Sequence, residues 1–270
     1  MFVRSTLLAL AATASLMASE LMLSTTTSTD NTGLLNVIAP AFKADTGIEL
    51  KWVAVGTGKA LALAKGCDAD AVLTHDPAQE DAFEQAGYGV DRKSVMYNDF
   101  VIVAPKSHQK ALAGQSAAAT FDYARKNKLP FISRGDNSGT HAKELWLWEL
   151  TQTGKPSAKN DASWYFEAGQ GMIQSLIMGE ERGGMVLTDR GTYIKYLDTR
   201  KANAKALSIV HEGDGALKNP YSIMAVNPKN CPNTRYAEAK EFIDWLTSEK
   251  GAQLIREFKL LGQPLFFVER

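Results

Sequence analysis

Over residues 48–87 the chain switches repeatedly between a strand-like and a helix-like hydrophobic period, and this alternation limits the folds open to it. Residues 48–55 alternate as a strand, Gly56-Thr57-Gly58 makes a turn, and residues 59–65 give a short helix that stops at Gly66. Residues 70–75 form an apolar strand, and Asp76-Pro77 reads as an N-cap followed by proline at the first helical position, opening a helix that carries Phe83 and ends by Gly87. Upstream, Glu20-Leu21-Met22-Leu23 is short and apolar, and Leu34, Ile38 and Phe42 recur at helical steps with Gly47 as C-cap. Pro40 lies inside that pattern and should kink the helix or break it near Ala39. Strand, helix, strand, helix implies α/β architecture, because a parallel strand pair needs a crossover and the helix supplies it with a right-handed turn.

The alternation resumes beyond residue 100. Phe100-Val101-Ile102-Val103-Ala104 is a long apolar strand within residues 94–105, residues 111–127 are Ala-rich and helical, and further strands are expected at 131–133, 184–187 and 206–210. A helix should start at Gly169-Gln170-Gly171 and run through Met172, Leu176 and Ile177. Residues 221–226 form another strand, and helices are expected over 235–247 and 250–258. Two strands, 97–105 and 219–228, are each prefaced by Asn and Tyr and closed by Pro, and they flank the middle third of the chain. They read as two crossings between lobes: 19–99 with 226–270 as lobe 1, 100–225 as lobe 2, and hinges near 97–105 and 219–228. With no Gly/Ser-rich linker in the chain, paired crossing strands act as a hinge rather than a tether.

At 270 residues the chain can bury the cores of two medium domains. Its 30 Lys+Arg balance 30 Asp+Glu, so no overall field gathers nucleic acid, and no helix-turn-helix segment precedes the lobes. Residues 1–18 read as a secretory signal: one Arg, an apolar run from Leu7, and small residues for cleavage after Ala14 or Ala18. The competing reading is a buried first element. Export would place the protein in the periplasm or another extracytoplasmic space. Cys67 and Cys231 fit an oxidising compartment in which they could pair, although two cysteines are also what chance leaves in a chain of this length.

Chemistry concentrates on the strand-to-helix turns. Arg134-Gly135-Asp136-Asn137-Ser138-Gly139-Thr140 follows an apolar strand and opens a helix, so free backbone amides and the positive end of a helix dipole face whatever sits above it. The plainer reading is a helix capped by Asp136 or Ser138 with Arg134 as a surface charge. Three other turns are rich in hydroxyls or glycine: residues 24–28, 56–58 and 169–171. Strand carboxyl ends in α/β proteins face the crevice where ligands bind, so both lobes would supply neutral donors, with Arg134 as the one good cation. This suits a small tetrahedral oxyanion held by charge-assisted hydrogen bonds. Each such bond contributes about 1.5 to 3 kcal/mol, and nanomolar binding needs about 12 kcal/mol, so roughly five to eight good donors suffice before ordering costs.

Three segments together resemble the tungstate-binding proteins of bacterial ABC importers: Thr25-Thr26-Thr27-Ser28 with Thr32-Gly33-Leu34-Leu35, the Arg134 turn through His141, and Leu187-Thr188-Asp189-Arg190-Gly191-Thr192-Tyr193. The resemblance runs from the hydroxyl run to the C-terminal helices. It implies a two-lobed periplasmic-binding-protein fold of type II, each lobe a mixed sheet flanked by helices and joined by two crossing strands. It further implies tungstate as ligand, an ABC permease at the membrane as partner, and no enzymatic activity or cofactor; a monomer is expected. The ligand contacts it points to are Thr25, Thr26, Thr27, Ser28, Thr57, Arg134, Ser138, Gly139 and Thr140.

The same Arg-x-Asp-x-Ser-Gly-Thr pattern also resembles phosphate-binding proteins of the superfamily, and molybdate is a further alternative. Tungstate has no proton to donate at neutral pH, whereas hydrogen phosphate needs a carboxylate to accept one. Asp76 is the candidate acceptor, its other reading being the N-cap before Pro77. The four histidines, His75, His108, His141 and His211, are scattered without metal-ligand spacing. Ser138 with His141 offers a phosphoester hydrolase little, since no Gly-x-Ser-x-Gly elbow is present and one turn gives no triad geometry. Trp146, Trp148 and Trp164 are assigned to the lobe core.

Overall fold

The computed structural model describes residues 19–136, 138–200 and 207–269, so the expected signal at 1–18 lies outside the described residues. In chain order the elements are β1 (Glu20–Thr26), α1 (Thr27–Thr32), α2 (Leu35–Thr46), β2 (Glu49–Val55), α3 (Thr57–Lys65), β3 (Ala71–Thr74), α4 (Pro77–Gln85) and β4 (Gly89–Ala104). Then follow α5 (Gln109–Leu112), α6 (Ala117–Lys126), β5 (Phe131–Ser133), α7 (Gly139–Glu149), β6 (Tyr165–Glu167), α8 (Met172–Arg182), β7 (Met185–Asp189), α9 (Arg190–Thr199), β8 (Ser208–His211) and β9 (Lys218–Val226). Helices α10 (Tyr236–Leu246) and α11 (Glu249–Glu257) follow, and a short antiparallel pair, β10 (Lys259–Leu260) and β11 (Gln263–Pro264), closes the order.

Strand order is β2-β1-β3-β9-β4-β7-β5-β6, with β8 beside β4. β4 joins two sheets. Its first part, from Gly89 to Asp99, pairs antiparallel with β9, and its second part, from Phe100 to Val103, pairs antiparallel with β7. β1 pairs parallel with β2 and β3, and β5 pairs parallel with β6 and β7, so each lobe carries a mixed sheet. This is the two-lobed arrangement that the alternation led to. One boundary differs from expectation: β9 pairs with the first part of β4 from Lys218 to Val226, and with β3 from Ser222 to Ala225, so residues 218–226 belong to the first sheet and the return crossing precedes them. The apolar run at 221–226 was equally compatible with either sheet, since it is buried on both faces there.

Each sheet is covered on both faces. In lobe 2, Phe131 packs with Phe121, Trp148 and Trp164, while its chain neighbour Ile132 packs on the other face with Val186 and Leu176, as the period of two requires. In lobe 1, Leu21, Leu23, Phe42 and Phe242 share one cluster and Val72, Phe83 and Met224 another. Trp148 and Trp164 are core residues, but Trp146 is exposed with the Lys143 ammonium 4.4 Å from its ring centroid. The helical period turns position 146 outward while it buries 147 and 148. α2 continues through Pro40 without the expected break. Pro40 and Asn36, whose carbonyl loses its helical donor there, are both on the exposed face, where water can satisfy it.

Cys67 and Cys231 form a disulfide with Cα atoms 5.5 Å apart. Their separation of 164 residues encloses all of lobe 2, so the staple ties together two ends of lobe 1 across the whole excursion.

Candidate functional site

A cleft of about 990 Å³ opens between the lobes. From lobe 1 it is lined by the starts of α1 and α3, by His75 and Asp76 at the end of β3, and by Gln79; from lobe 2, by Arg134 and the starts of α7, α8 and α9. Helix N-termini thus converge from both sides. Each aims unsatisfied amides and the positive end of a dipole at the cleft. Most are capped by their own side chains: Thr26 caps α1, Asp76 caps α4, Ser138 caps α7 and Asp189 caps α9. The caps of α3 and α8 are Gly56 and Gly171, which offer no side chain, so each lobe keeps one helix start without a side-chain partner. Those amides are available to an anion.

The Arg134 turn is held by short-range bonds. The Gly135 amide donates to Ser133 Oγ at 3.2 Å, and the Ser138 amide donates to Asp136 Oδ1 at 3.2 Å. Gly135 has φ +58, and a Cβ placed there would lie 2.7 Å from Cβ of Glu167 on β6, so only glycine fits the turn against its neighbour strand. Arg134 is ion-paired with Asp136, while its Nε is buried without a partner among the described residues. A buried guanidinium N–H left unpaired costs about 1 to 3 kcal/mol, which an anion in the cleft can offset. Burial works against the Asp136 charge, but hydrogen bonds from Ser138 and the Arg134 charge prevail and hold its pKa below the ordinary value.

The expected contact residues separate into two groups. Thr26, Thr27, Ser28, Thr57, Arg134, Ser138, Gly139 and Thr140 all line the cleft, with Thr27 and Ser28 exposed on it. Thr25 does not. It is fully buried within β1 and its hydroxyl donates to the Leu73 carbonyl at 2.8 Å, because the period of the strand turns position 25 into the sheet. The glycines of the 169–171 turn do not line the cleft either; Met172 and Ile173 at the start of α8 do. Asp76 is the N-cap of α4, as Asp76-Pro77 suggests. It lines the cleft, and its two oxygens accept from the Gln79 amide at 3.1 Å and the Gln79 side chain at 2.6 Å.

A family model of the periplasmic-binding-protein class, described as "PBP superfamily domain", matches residues 11–250. The tungstate-binding protein TupA of Campylobacter jejuni is 49% identical over 242 residues, covering 90% of this chain and 88% of that protein. The chain belongs to this tungstate-binding protein family. Among solved structures, the tungstate-binding protein TupA of Desulfovibrio alaskensis G20 is 47% identical with a TM-score of 0.88, covering 93% of this chain and 98% of that one. The tungstate ABC transporter structure from Geobacter sulfurreducens is 43% identical with a TM-score of 0.73, covering 88% and 98% respectively.

The structure brings forward residues that spacing alone passed over. His75, set aside with the other histidines, lines the cleft; its Nε2 lies 3.0 Å from Ser28 Oγ and its Nδ1 lies 3.2 Å from Asn219 Oδ1. Burial pushes its pKa below the ordinary value, against the pull of the Asn219 bond and of nearby Glu80, Asp189 and Asp76. Lys195 on α9 reaches across the opening to donate to the Asn31 carbonyl of α1 at 2.7 Å, a direct contact between lobes. Asp189 accepts from the Thr192 amide at 2.8 Å and hydroxyl at 2.7 Å, which places Thr192 and Gly191 on the cleft wall. Arg190, by contrast, is held by Asp99 at 2.6 and 2.5 Å and by Glu212, and pins α9 to the crossing strand β4. Among the described residues no cluster of His, Cys, Asp and Glu is arranged to hold a metal ion.

Proposed function

We propose that this protein captures tungstate in the cleft between its lobes and presents it to an ABC permease. The observation that carries this reading is the convergence on one cleft of helix starts without a side-chain cap from both lobes and an Arg134 Nε with no partner among the described residues, in a chain 49% identical to a tungstate-binding protein. In the loaded state Arg134 donates to the oxyanion, and Thr27, Ser28, Thr57, Ser138 and Thr140 supply hydroxyl donors. The amides at Gly139 and at the starts of α3 and α8 complete the shell. Ser138 Oγ accepts from the His141 amide at 3.3 Å and its hydroxyl bonds to the Asp136 carboxylate, so the proton turns from Asp136 to the ligand when the anion enters. An unprotonated dianion is suited to such a shell of donors.

The protein works outside the cytoplasm, as a monomer, with residues 1–18 as its export signal. The disulfide between Cys67 and Cys231 supports an oxidising compartment. Binding and release, rather than turnover, is the activity.

One observation favours a second reading: Asp76 lines the cleft, as an acceptor for hydrogen phosphate would. Gln79 gives one donor to each of its oxygens, which fits the capping role, and the 49% identity to a tungstate-binding protein favours tungstate. Titration calorimetry with tungstate, molybdate, sulfate and phosphate decides the matter. Tight binding of tungstate with little heat from phosphate is expected; tight phosphate binding with no tungstate binding overturns the reading.

A further inference from the structure

His75 sits where the cleft meets the hinge. Its ring lies against Tyr221 of β9, with centroids 4.7 Å apart, and its two nitrogens join Ser28 of α1 to Asn219 of β9. Asn98 on β4 and Asn219 on β9 are register partners at the crossing. Asn98 Nδ2 donates to the Tyr221 hydroxyl at 3.3 Å, and Asn219 Nδ2 donates to Asn98 Oδ1 at 2.7 Å. That direction leaves Asn219 Oδ1 facing His75 Nδ1 at 3.2 Å. A carbonyl oxygen only accepts, so Nδ1 carries the ring proton and Nε2 of the neutral ring is a bare lone pair. Ser28 Oγ lies 3.0 Å from this lone pair and 3.0 Å from Thr26 Oγ1; with Thr26 as the donor in that second pair, Ser28 gives its single proton to Nε2.

This arrangement conflicts with what an unprotonated dianion needs. Ser28 is exposed on the cleft, yet with its proton committed to His75 it presents only lone pairs there. Turning the hydroxyl toward the anion would leave Oγ and Nε2 facing each other at 3.0 Å as two acceptors. A proton at Nε2 removes the conflict: the ring then donates to Ser28 Oγ, and Ser28 donates to the anion.

We propose that His75 takes up one proton at Nε2 when an unprotonated oxyanion enters the cleft, and that the His75–Ser28 pair thereby favours anions that bring no proton of their own. The proton comes from a solvent or buffer acid: that acid's bond to hydrogen breaks as the Nε2–H bond forms, and its conjugate base stays in solution. With the ring neutral, the same Ser28 suits an anion that carries its own proton, such as hydrogen phosphate. The inference rests on the oxyanion reading above and adds a specificity-determining residue to it.

The charges around the ring agree. Glu80 from α4, Asp189 at the start of α9 and Asp76 beside it in the chain all favour the protonated ring, and Glu80 is itself paired with Arg92. Arg134, Lys59 and Lys195 line the same cleft and oppose it. In the empty cleft burial prevails and the ring is neutral at pH 7. A dianion adds its charge to the side of the three carboxylates. The ring's pKa therefore rises on binding, and the affinity it confers is full at low pH and is lost as pH rises through the loaded value.

The test is calorimetry with tungstate at pH 6.5, 7.5 and 8.5, each in two buffers of different ionisation enthalpy, on the wild type and on His75→Gln. The wild type is expected to take up a substantial fraction of a proton and to lose affinity by up to about tenfold per pH unit across the window. His75→Gln should take up none and show a flat profile. Nitrogen-15 NMR of the His75 ring in the wild type reads the same event directly, as a neutral ring protonated at Nδ1 without ligand and a doubly protonated ring with tungstate. Tungstate binding with no proton uptake and a ring that stays neutral overturns the proposal while leaving tungstate capture intact. Absence of any tungstate binding overturns the capture reading itself.

Discussion

Arg134 and Asp136 are ion-paired across two residues of one turn, yet Arg134 Nε is buried and has no partner among the described residues. The pair therefore orients the guanidinium without exhausting its donors.

From this follows the first prediction. Arg134→Ala removes two or more charge-assisted hydrogen bonds to the anion, so tungstate binding should weaken by roughly 3 to 5 kcal/mol, a few hundred-fold or more. Arg134→Lys keeps the charge but not the planar fork and should recover only part of the loss. Calorimetry on both variants checks this; unchanged affinity in the alanine variant would remove Arg134 from the site.

Lys195 crosses the mouth of the cleft to the Asn31 carbonyl, an exposed contact that links α9 to α1. Breaking it should favour the open arrangement of the lobes and hasten release. For Lys195→Ala a several-fold faster tungstate dissociation is expected, consistent with the roughly 0.5 to 1.5 kcal/mol net value of a single hydrogen bond. Stopped-flow displacement measures the rate, and small-angle scattering of the ligand-free variant should show a larger radius of gyration. A compact variant with unaltered release contradicts the latch.

The sheet and helix alternation was legible because both periods are strong: Leu34, Ile38 and Phe42 at four-residue steps, and Phe131 and Ile132 on opposite faces. The cleft was legible where a turn announces itself, as at Arg134 and Gly56. Three things were not. Thr25 belongs to a hydroxyl run, and only the register of β1 shows that its side chain turns into the sheet toward Leu73. His75 shares no local pattern with Ser28 or Asn219; the sheet order brings them together over sequence separations of 47 and 144 residues. Lys195 likewise reaches Asn31 over a separation of 164 residues. Spacing reads what one turn can hold, and these contacts are properties of topology.

The Cys67–Cys231 bond closes a loop that contains the whole of lobe 2, while both cysteines sit in lobe 1. In the chain-entropy model a bridge over so long a loop stabilises by about 5 kcal/mol, and measured effects fall between about 0 and 5 kcal/mol. Cys67→Ser with Cys231→Ser should therefore lower the unfolding midpoint by several degrees. It should leave tungstate affinity near wild type, because neither residue lines the cleft. Thermal unfolding and calorimetry on the same sample separate the two effects. Loss of affinity in a folded double variant would place the staple in the control of lobe geometry.

Glu144 on α7 lies beneath the Arg134 turn, with 2% of its surface exposed. Its Oε1 accepts from Trp148 Nε1 at 3.2 Å and from the Tyr165 hydroxyl at 2.9 Å, and the Ser133 hydroxyl bonds to it as well. Burial is the largest influence and outweighs these bonds, pushing the carboxyl up to about 7, with Glu167 adding in the same direction. The sign follows directly. Between the unfolded value near 4.5 and the folded value, the native state holds a proton that the unfolded chain has released, so stability falls as pH rises through that window. The loss amounts to roughly 3 kcal/mol by pH 8. Glu144→Gln keeps an oxygen acceptor for Trp148 and Tyr165 and has no proton to lose. Relative to this variant, the wild type should become progressively less stable from pH 5 to pH 8, read as the difference in chemical denaturation midpoints. A constant difference across that range would mean that Glu144 is ionised throughout and that its burial is compensated in the native state.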